Sequence, residues 1–543
     1  MGGPCREAFQ PHSPQAEWRA LAWAQEEAVK PLGPYHVFED EAIQATDGPR
    51  SGPQMAVATS PVDASLMHAA VLVACALDGA EEGQGVTANS VCDQQAIIEP
   101  AQTAHSIIAR MWAHVAEARV QAECLRSLDE LLQQETVTQD DFMQSNGLTK
   151  MFMGLFAHVG DQEVMSCTLT LLWRLGRVLE ASQLDKLGSI HVIQDVCIAM
   201  KVHLHCAEVQ LLGCRALWSV AGKHPANKAR AASAEAISTI ACSMEVHRDD
   251  VDVQKYSCEA LASICDADAP EVAGEAAAIV AVVASMRRYV DDADLQAKAC
   301  AALASLTHSM RGRAALDLAK DAEVVQQLSL TMKAHRDSAH VQQEAFAALR
   351  VLALSHGDAV LALAREVVRH VCDTLELFRA EDRLQVEGFG ALRNLCSGTN
   401  PTPMCMCIGA AGGVERVCEG MIAHPGNRYV QEQGCGALWS LACHMENRGA
   451  AAEAQGIALV CQAMHLHRDV AGVQAQACGA LHNLSCKASN PERIEKANGV
   501  QLLEQALDAH LDDPIVQEEG KRALARIMLS GGSRTLGNLV EVK

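Results

Sequence analysis

The chain has 543 residues, of which 49% are hydrophobic but only 3% aromatic, and it carries a formal net charge of −23. That length exceeds one small domain, and a core of alanine, leucine and valine with few rings favours many close helix–helix contacts. Duplex binding needs a clustered basic excess, so this acidic balance excludes nucleic acid as the expected partner.

Residues 1–60 come first. Prolines from Pro4 to Pro53 punctuate them, which reads as a flexible, disordered segment with one short helix around Trp18 and Trp23. Residues 61–100 read as a helical lead-in, with one apolar helix over 62–80, followed by a loop. The longest apolar run there, Ala69–Leu77, is too short to cross a bilayer, so no transmembrane segment is expected. Met1–Gln10 lacks an apolar run, so no secretory signal is expected at the start of the chain. Its 22 cysteines therefore read as reduced thiols, and the expected setting is cytoplasmic.

From residue 101 to 531 the chain repeats itself, and 532–543 form a short tail. "VQEQGCGALWSL" (Val430–Leu441) returns as "VQAQACGALHNL" (Val473–Leu484). The glutamine of this "VQ" pair recurs at Gln121, Gln210, Gln254, Gln296, Gln342, Gln385, Gln431, Gln474 and Gln517, with Met165 in the missing slot. These steps of 42 to 46 residues mark ten units of a helical solenoid. Counting the valine as position 0, apolar or small residues at 0, 4, 5, 8 and 11 predict one buried face of a helix. Position 4 is always small, which allows close approach. Position 5 holds Cys214, Cys258, Cys300, Cys435 and Cys478, replaced by Phe346 and Phe389, and reads as core packing. A second helix precedes this one and ends in "M-x-x-H", often starting after glycine. A shorter helix precedes that. Asp250 and Asp512 suit the N-terminus of the helix that follows them.

Three helices per unit, with "GALRNL" (Gly390–Leu395) and "GALHNL" (Gly479–Leu484) in the third, resemble armadillo repeats over roughly four-fifths of the chain. The unit around Gly412–Ala442 looks most like the armadillo arrays of leucine-rich-repeat kinases and vacuolar armadillo adaptors. The resemblance implies an all-α fold, a right-handed α-α superhelix of about ten three-helix repeats. It also implies a concave groove, lined by third helices, that binds segments of other proteins without doing chemistry. Nuclear-import receptors of this fold carry a tryptophan before "AL" and an asparagine after it. Here the tryptophan slot holds Arg215, Glu259, Ala301, Ala347, Gly390, Gly436 and Gly479, so gripping a lysine-rich peptide is not expected.

Positions 6, 9, 10 and 13 lie opposite the core face and are expected to face the groove. They supply the candidate partner-binding residues Trp173, Arg174, Trp218, Arg350, Arg393, Asn394, Trp439, His482 and Asn483. Aromatic anchors with arginines suit an acidic or phosphorylated partner segment. A histidine recurs in one phase, from His114 to His510, with Tyr289 and Phe378 in two slots. It reads as structural, at the end of each second helix, where it can meet free carbonyls. "PMCMC" (Pro403–Cys407), expected in a loop, is the one soft-metal suspect, yet no second thiol pair completes four ligands. No P-loop, HExxH, GxSxG or dinucleotide glycine pattern occurs, so no catalytic residue, metal or cofactor is expected. The reading is a non-enzymatic scaffold or adaptor that holds a protein segment. The alternatives are a regulatory subunit of a larger enzyme or cytoskeletal assembly, or a lipid-anchored membrane adaptor. For the latter, Gly2 and Cys5 stand where vacuolar armadillo adaptors are acylated, although Pro4 and Arg6 depart from that pattern.

Overall fold

The computed structural model describes residues 104–134, 158–265, 272–309, 318–355, 364–397 and 402–530. The segments expected at 1–60, 61–100 and 532–543, with Gly2 and Cys5, lie outside the described residues. Among the described residues the chain forms 24 helices and no strand. It divides into two compact units, Met1–Val164 and Met165–Lys543, with the boundary inside the helix Gln162–Val178.

In the first unit, helices Ala104–Ala113 and Ala118–Gln133 pack together as the second and third helices of one repeat. In the second unit the third helices form a continuous layer. Ala207–Ala221, Val251–Ile264, Ala293–Ser309, Ala339–Ser355, Asp382–Leu395, Arg428–Leu441, Ala471–Ser485 and Pro514–Ser530 each pack on the next. This is an all-α solenoid, as the repeat implied. Side-chain caps start several third helices. Asp250 accepts from the N–H groups of Asp252 and Val253, and Asn427 from those of Tyr429 and Val430. In the last repeat Asp513, not the expected Asp512, does this for Ile515 and Val516.

First and second helices are separate in the repeats where a left-handed residue intervenes: His191, Glu235, Gly412, Gln455 and Asn498. The glycines seen in the sequence as preceding the second helix are its first residues, as in Gly413–Ala423 and Gly499–Ala509. Close approach explains them. A Cβ on Gly499 would sit 2.4 Å from Ile494 Cγ2 and 3.0 Å from its carbonyl oxygen. In Val272–Arg288 and Leu318–Ala334 no such break occurs, and the helix that ends as the second runs unbroken for 17 residues.

The marker glutamine explains itself here. The last carbonyls of any helix lack intrahelical donors. In nine repeats the glutamine Nε2 donates to the carbonyls ten and seven residues earlier, at the end of the second helix. Gln210 reaches Met200 and His203 at 2.8 and 2.9 Å, and Gln431 reaches Met421 and His424, both at 2.9 Å. The same pair of bonds recurs at Gln121, Gln254, Gln296, Gln342, Gln385, Gln474 and Gln517. The small residue at position 4 makes room for the methionine of its own repeat: a Cβ on Gly213 would meet Met200 Cγ at 2.5 Å. Position 5 is wholly buried at Cys214, Cys258, Cys300, Phe346, Phe389, Cys435 and Cys478. Burial pushes the Cys214, Cys258 and Cys478 thiols up to about 12. Among the described residues the cysteines are free thiols.

Side-chain donors also tie each repeat to the one before. The repeated histidine does not serve its own helix. Its Nε2–H reaches the carbonyl just past the corresponding residue of the preceding repeat: His158 to Val115, His247 to Leu204, His335 to Val290, His424 to Arg379, His467 to Pro425 and His510 to Arg468, at 2.6–2.9 Å. Tyr289 keeps this bond through its hydroxyl, to Arg248 at 3.1 Å. Because a carbonyl only accepts, the bond fixes the Nε2–H tautomer. Buried asparagines of the first helices do similar work. Asn227 donates to Leu184 and Val220, Asn447 to Cys405 and Leu441, and Asn490 to Arg448 and Leu484.

Replacing Gln431 by leucine strands one buried and one partly buried carbonyl. We expect Gln431→Leu to lower stability by about 2–4 kcal/mol, and His424→Phe by about 1 kcal/mol, since the ring still packs. Urea denaturation with hydrogen exchange across 415–430 measures both. A Gln431→Leu protein of unchanged stability would contradict the capping role.

Candidate partner-binding surface

The buried face of each third helix leaves the opposite side chains outward. Position 9 of one repeat meets positions 3 and 6 of the next. In the C-terminal stretch, Arg350 Nε donates to Glu387 Oε2 at 2.7 Å, and Arg393 Nη1 to Gln433 Oε1 at 3.3 Å. His482 Nδ1 donates to Glu519 Oε2 at 2.7 Å, and Arg522 meets the other oxygen at 2.9 Å. Trp439 lies against Gly479, where a Cβ would come within 2.3 Å of the indole. Gly390 and Gly436 give the same room to Arg350 and Arg393. So glycine at position 6 lets a large position-9 side chain lie on the following helix.

Asn394 and Asn483 have a fastening contact. Their Nδ2 groups donate to the carbonyls of Arg350 and Trp439 in the preceding third helix, at 2.8 and 2.9 Å. Ser305 does the same to Ala262 at 2.8 Å. These candidates therefore commit an amide to the stack.

The earlier repeats differ. Trp173 and Trp218 are half-buried. The Arg215 guanidinium lies 3.9 Å from the Trp173 ring centre and 4.5 Å from that of Tyr256, while Arg174 and Arg177 lie 5.3 and 5.5 Å from Trp173. Lys298 continues the line 5.3 Å from Tyr256. Burial disfavours the Lys298 charge, but Glu259 at 3.2 Å and Asp294 at 3.4 Å hold its ammonium above the ordinary value. Lys255 is raised too, first by its bond to Asp292 at 2.8 Å.

Of the position-10 candidates expected to face the groove, Asn394 is buried; position 3, absent from the sequence reading, supplies the neighbours Tyr256, Lys298, Glu387, Gln433 and Glu519. It also holds Glu344, whose carboxyl burial pushes up, with Glu387 adding to this and His340 opposing it. The signal was available in the repeat phase, since position 3 lies one turn before position 6.

The expected "PMCMC" loop is instead a helix, Thr402–Ala410. Pro403 falls in its first turn, where a missing N–H costs nothing. Cys405 is buried beside Cys396. Among the described residues no group of three or more His, Cys, Asp or Glu is placed to hold a metal ion. No described helix is long and apolar enough to cross a membrane.

No family model matches the sequence, and no curated protein matches it. Many solved structures are similar to it, and two of them illustrate the range. One is an engineered protein, 24% identical, aligned over 46% of this chain and 97% of its own, with a TM-score of 0.40. The other comes from work on a conserved phosphorylation switch that controls the interaction between cadherin and β-catenin. It is 14% identical over 88% of this chain and 98% of its own, with a TM-score of 0.52. This second likeness shows the fold, an armadillo-type all-α superhelix.

The contact of Trp439 with Gly479 makes a contrast testable. Gly479→Ala must displace a rigid indole and should cost about 1–3 kcal/mol, with a shift in tryptophan emission. Gly390→Ala meets the flexible Arg350 stem and should cost less. Equal losses by chemical denaturation would show that the indole is not held on the glycine.

Proposed function

We propose that the chain is a protein-interaction scaffold whose third-helix surface binds a segment of another protein, acting by binding and not by catalysis. One observation carries this reading: half-buried aromatic and charged side chains, drawn from positions 3, 6 and 9, follow one another along successive third helices from Trp173 to His482. Such amphipathic side chains, already packed on one edge, lose little entropy on meeting a partner. A chain of net charge −23 that still gathers arginine on this surface favours an acidic or phosphorylated segment. The cadherin–β-catenin interaction, described for a structure of similar fold, supports partner binding as a use of such a surface.

A photo-activatable residue placed in the folded full chain at Gln433, or at Gln476 in position 3 of the next third helix, should cross-link a partner from the source cell. The same group at the exposed Leu466 of a second helix should not. Cross-links confined to Leu466 would place binding on another face and overturn the reading.

A further inference from the structure

The arginines of this surface are not equivalent. Arg350 is ion-paired with Glu387, and Arg393 is bonded to Gln433. Arg215 has no such partner among the described residues. Its guanidinium lies over Trp173 and over Tyr256, and its buried Nε has no acceptor. Stacking uses the faces of a guanidinium and leaves its in-plane N–H groups for a ligand. A planar fork held rigid by two rings is prepared for a bidentate oxyanion.

The size of the charge narrows the ligand. Arg350 is matched by the single carboxylate of Glu387. Around Trp173, Arg215 and the exposed Arg177 border one indole, and no carboxylate among the described residues pairs with either. One carboxylate leaves such a pair half-neutralised, whereas a phosphate monoester carries close to two charges at neutral pH.

Resting on the scaffold reading above, we infer that Trp173, Arg177, Arg215 and Tyr256 form a seat for a phosphorylated serine or threonine of the partner segment. Arg215 takes two phosphate oxygens edge-on, between its two rings, and Arg177 meets the remaining charge. The C-terminal arginines, already bonded, contribute little to this recognition.

The test uses the folded full chain and three labelled degenerate peptide libraries that differ only at one fixed position: phosphoserine, glutamate or serine. By fluorescence anisotropy the phosphoserine library should bind about tenfold tighter than either other library. Arg215→Gln and Arg177→Gln should each remove most of that preference, while Arg350→Gln should leave it within about twofold. Circular dichroism checks the fold, and exposed Arg177 provides a variant that leaves the contacts of Arg215 with Trp173 and Tyr256 in place. Equal binding of the three libraries, no binding of any, or an equal loss in Arg350→Gln would overturn the inference. If cross-links still arise at Gln433 or Gln476, only the phosphate seat has failed; if they too are absent, the scaffold reading fails with it.

Discussion

In nine repeats two backbone carbonyls at the end of the second helix need donors, and one side-chain amide supplies both. This is the constraint on which the rest of the repeat depends. Glutamine is suited to it because Nε2 carries two hydrogens and no charge. Glutamate offers no donor, and lysine would bring a charge that burial penalises. Gln210, Gln342 and Gln385 are fully buried, so any unmet amide would be costly there. Once both bonds form, the turn between the second and third helices is fixed in length and direction. The methionine of the second helix then falls on position 4 of the third, which must stay small, as Gly213 and Gly434 do.

The stack is fastened by a different set of donors. The histidine ring, the first-helix asparagine and the position-10 side chain each reach one repeat back. None reaches further. Stability in such an array is a sum of repeat terms and nearest-neighbour terms, and these bonds make up the polar part of the latter. Phe378 shows that one fastener can be given up when an aromatic ring still fills the space. The spacing also explains why the histidines do not converge: six of them are committed to a carbonyl of the preceding repeat, and His114 meets Glu117.

Much of this was legible in the sequence. The period of the glutamine gave the number of repeats, and the small and apolar phases gave the buried face. What glutamine does was not legible, because its partners lie across a turn whose geometry no pattern of hydrophobicity records. The left-handed caps at His191, Glu235 and Gln455 were hidden for a related reason: these residues have no strong preference for positive φ, and tertiary packing imposes it. The helix at Thr402 was obscured by a proline and two cysteines that suggested chemistry. At the surface, the large side chains of positions 6 and 9 followed from the repeat phase, but their pairing did not, and the burial of Asn394 at position 10 was not foreseen. Arg350 meets Glu387 across 37 residues of chain, and only the offset between neighbouring helices decides that contact.

That offset gives the surface two modes. Where position 6 is glycine, as at Gly390, Gly436 and Gly479, the preceding large side chain settles onto the next helix, and the two arginines among them find polar partners one repeat on. Where position 6 is Arg215, there is no such cushion. Trp173 stacks on the guanidinium instead, Tyr256 covers it from the following repeat, and the cation keeps its edge. One substitution in the repeat pattern thus changes an arginine from an internal tie into a group with donors to spare. A chain with far more acidic than basic residues could neutralise any arginine it placed near a carboxylate. Leaving Arg215 among rings, with a stacked environment in place of an ion pair, keeps a fixed positive edge on a surface where Arg350 and Arg393 are already bonded.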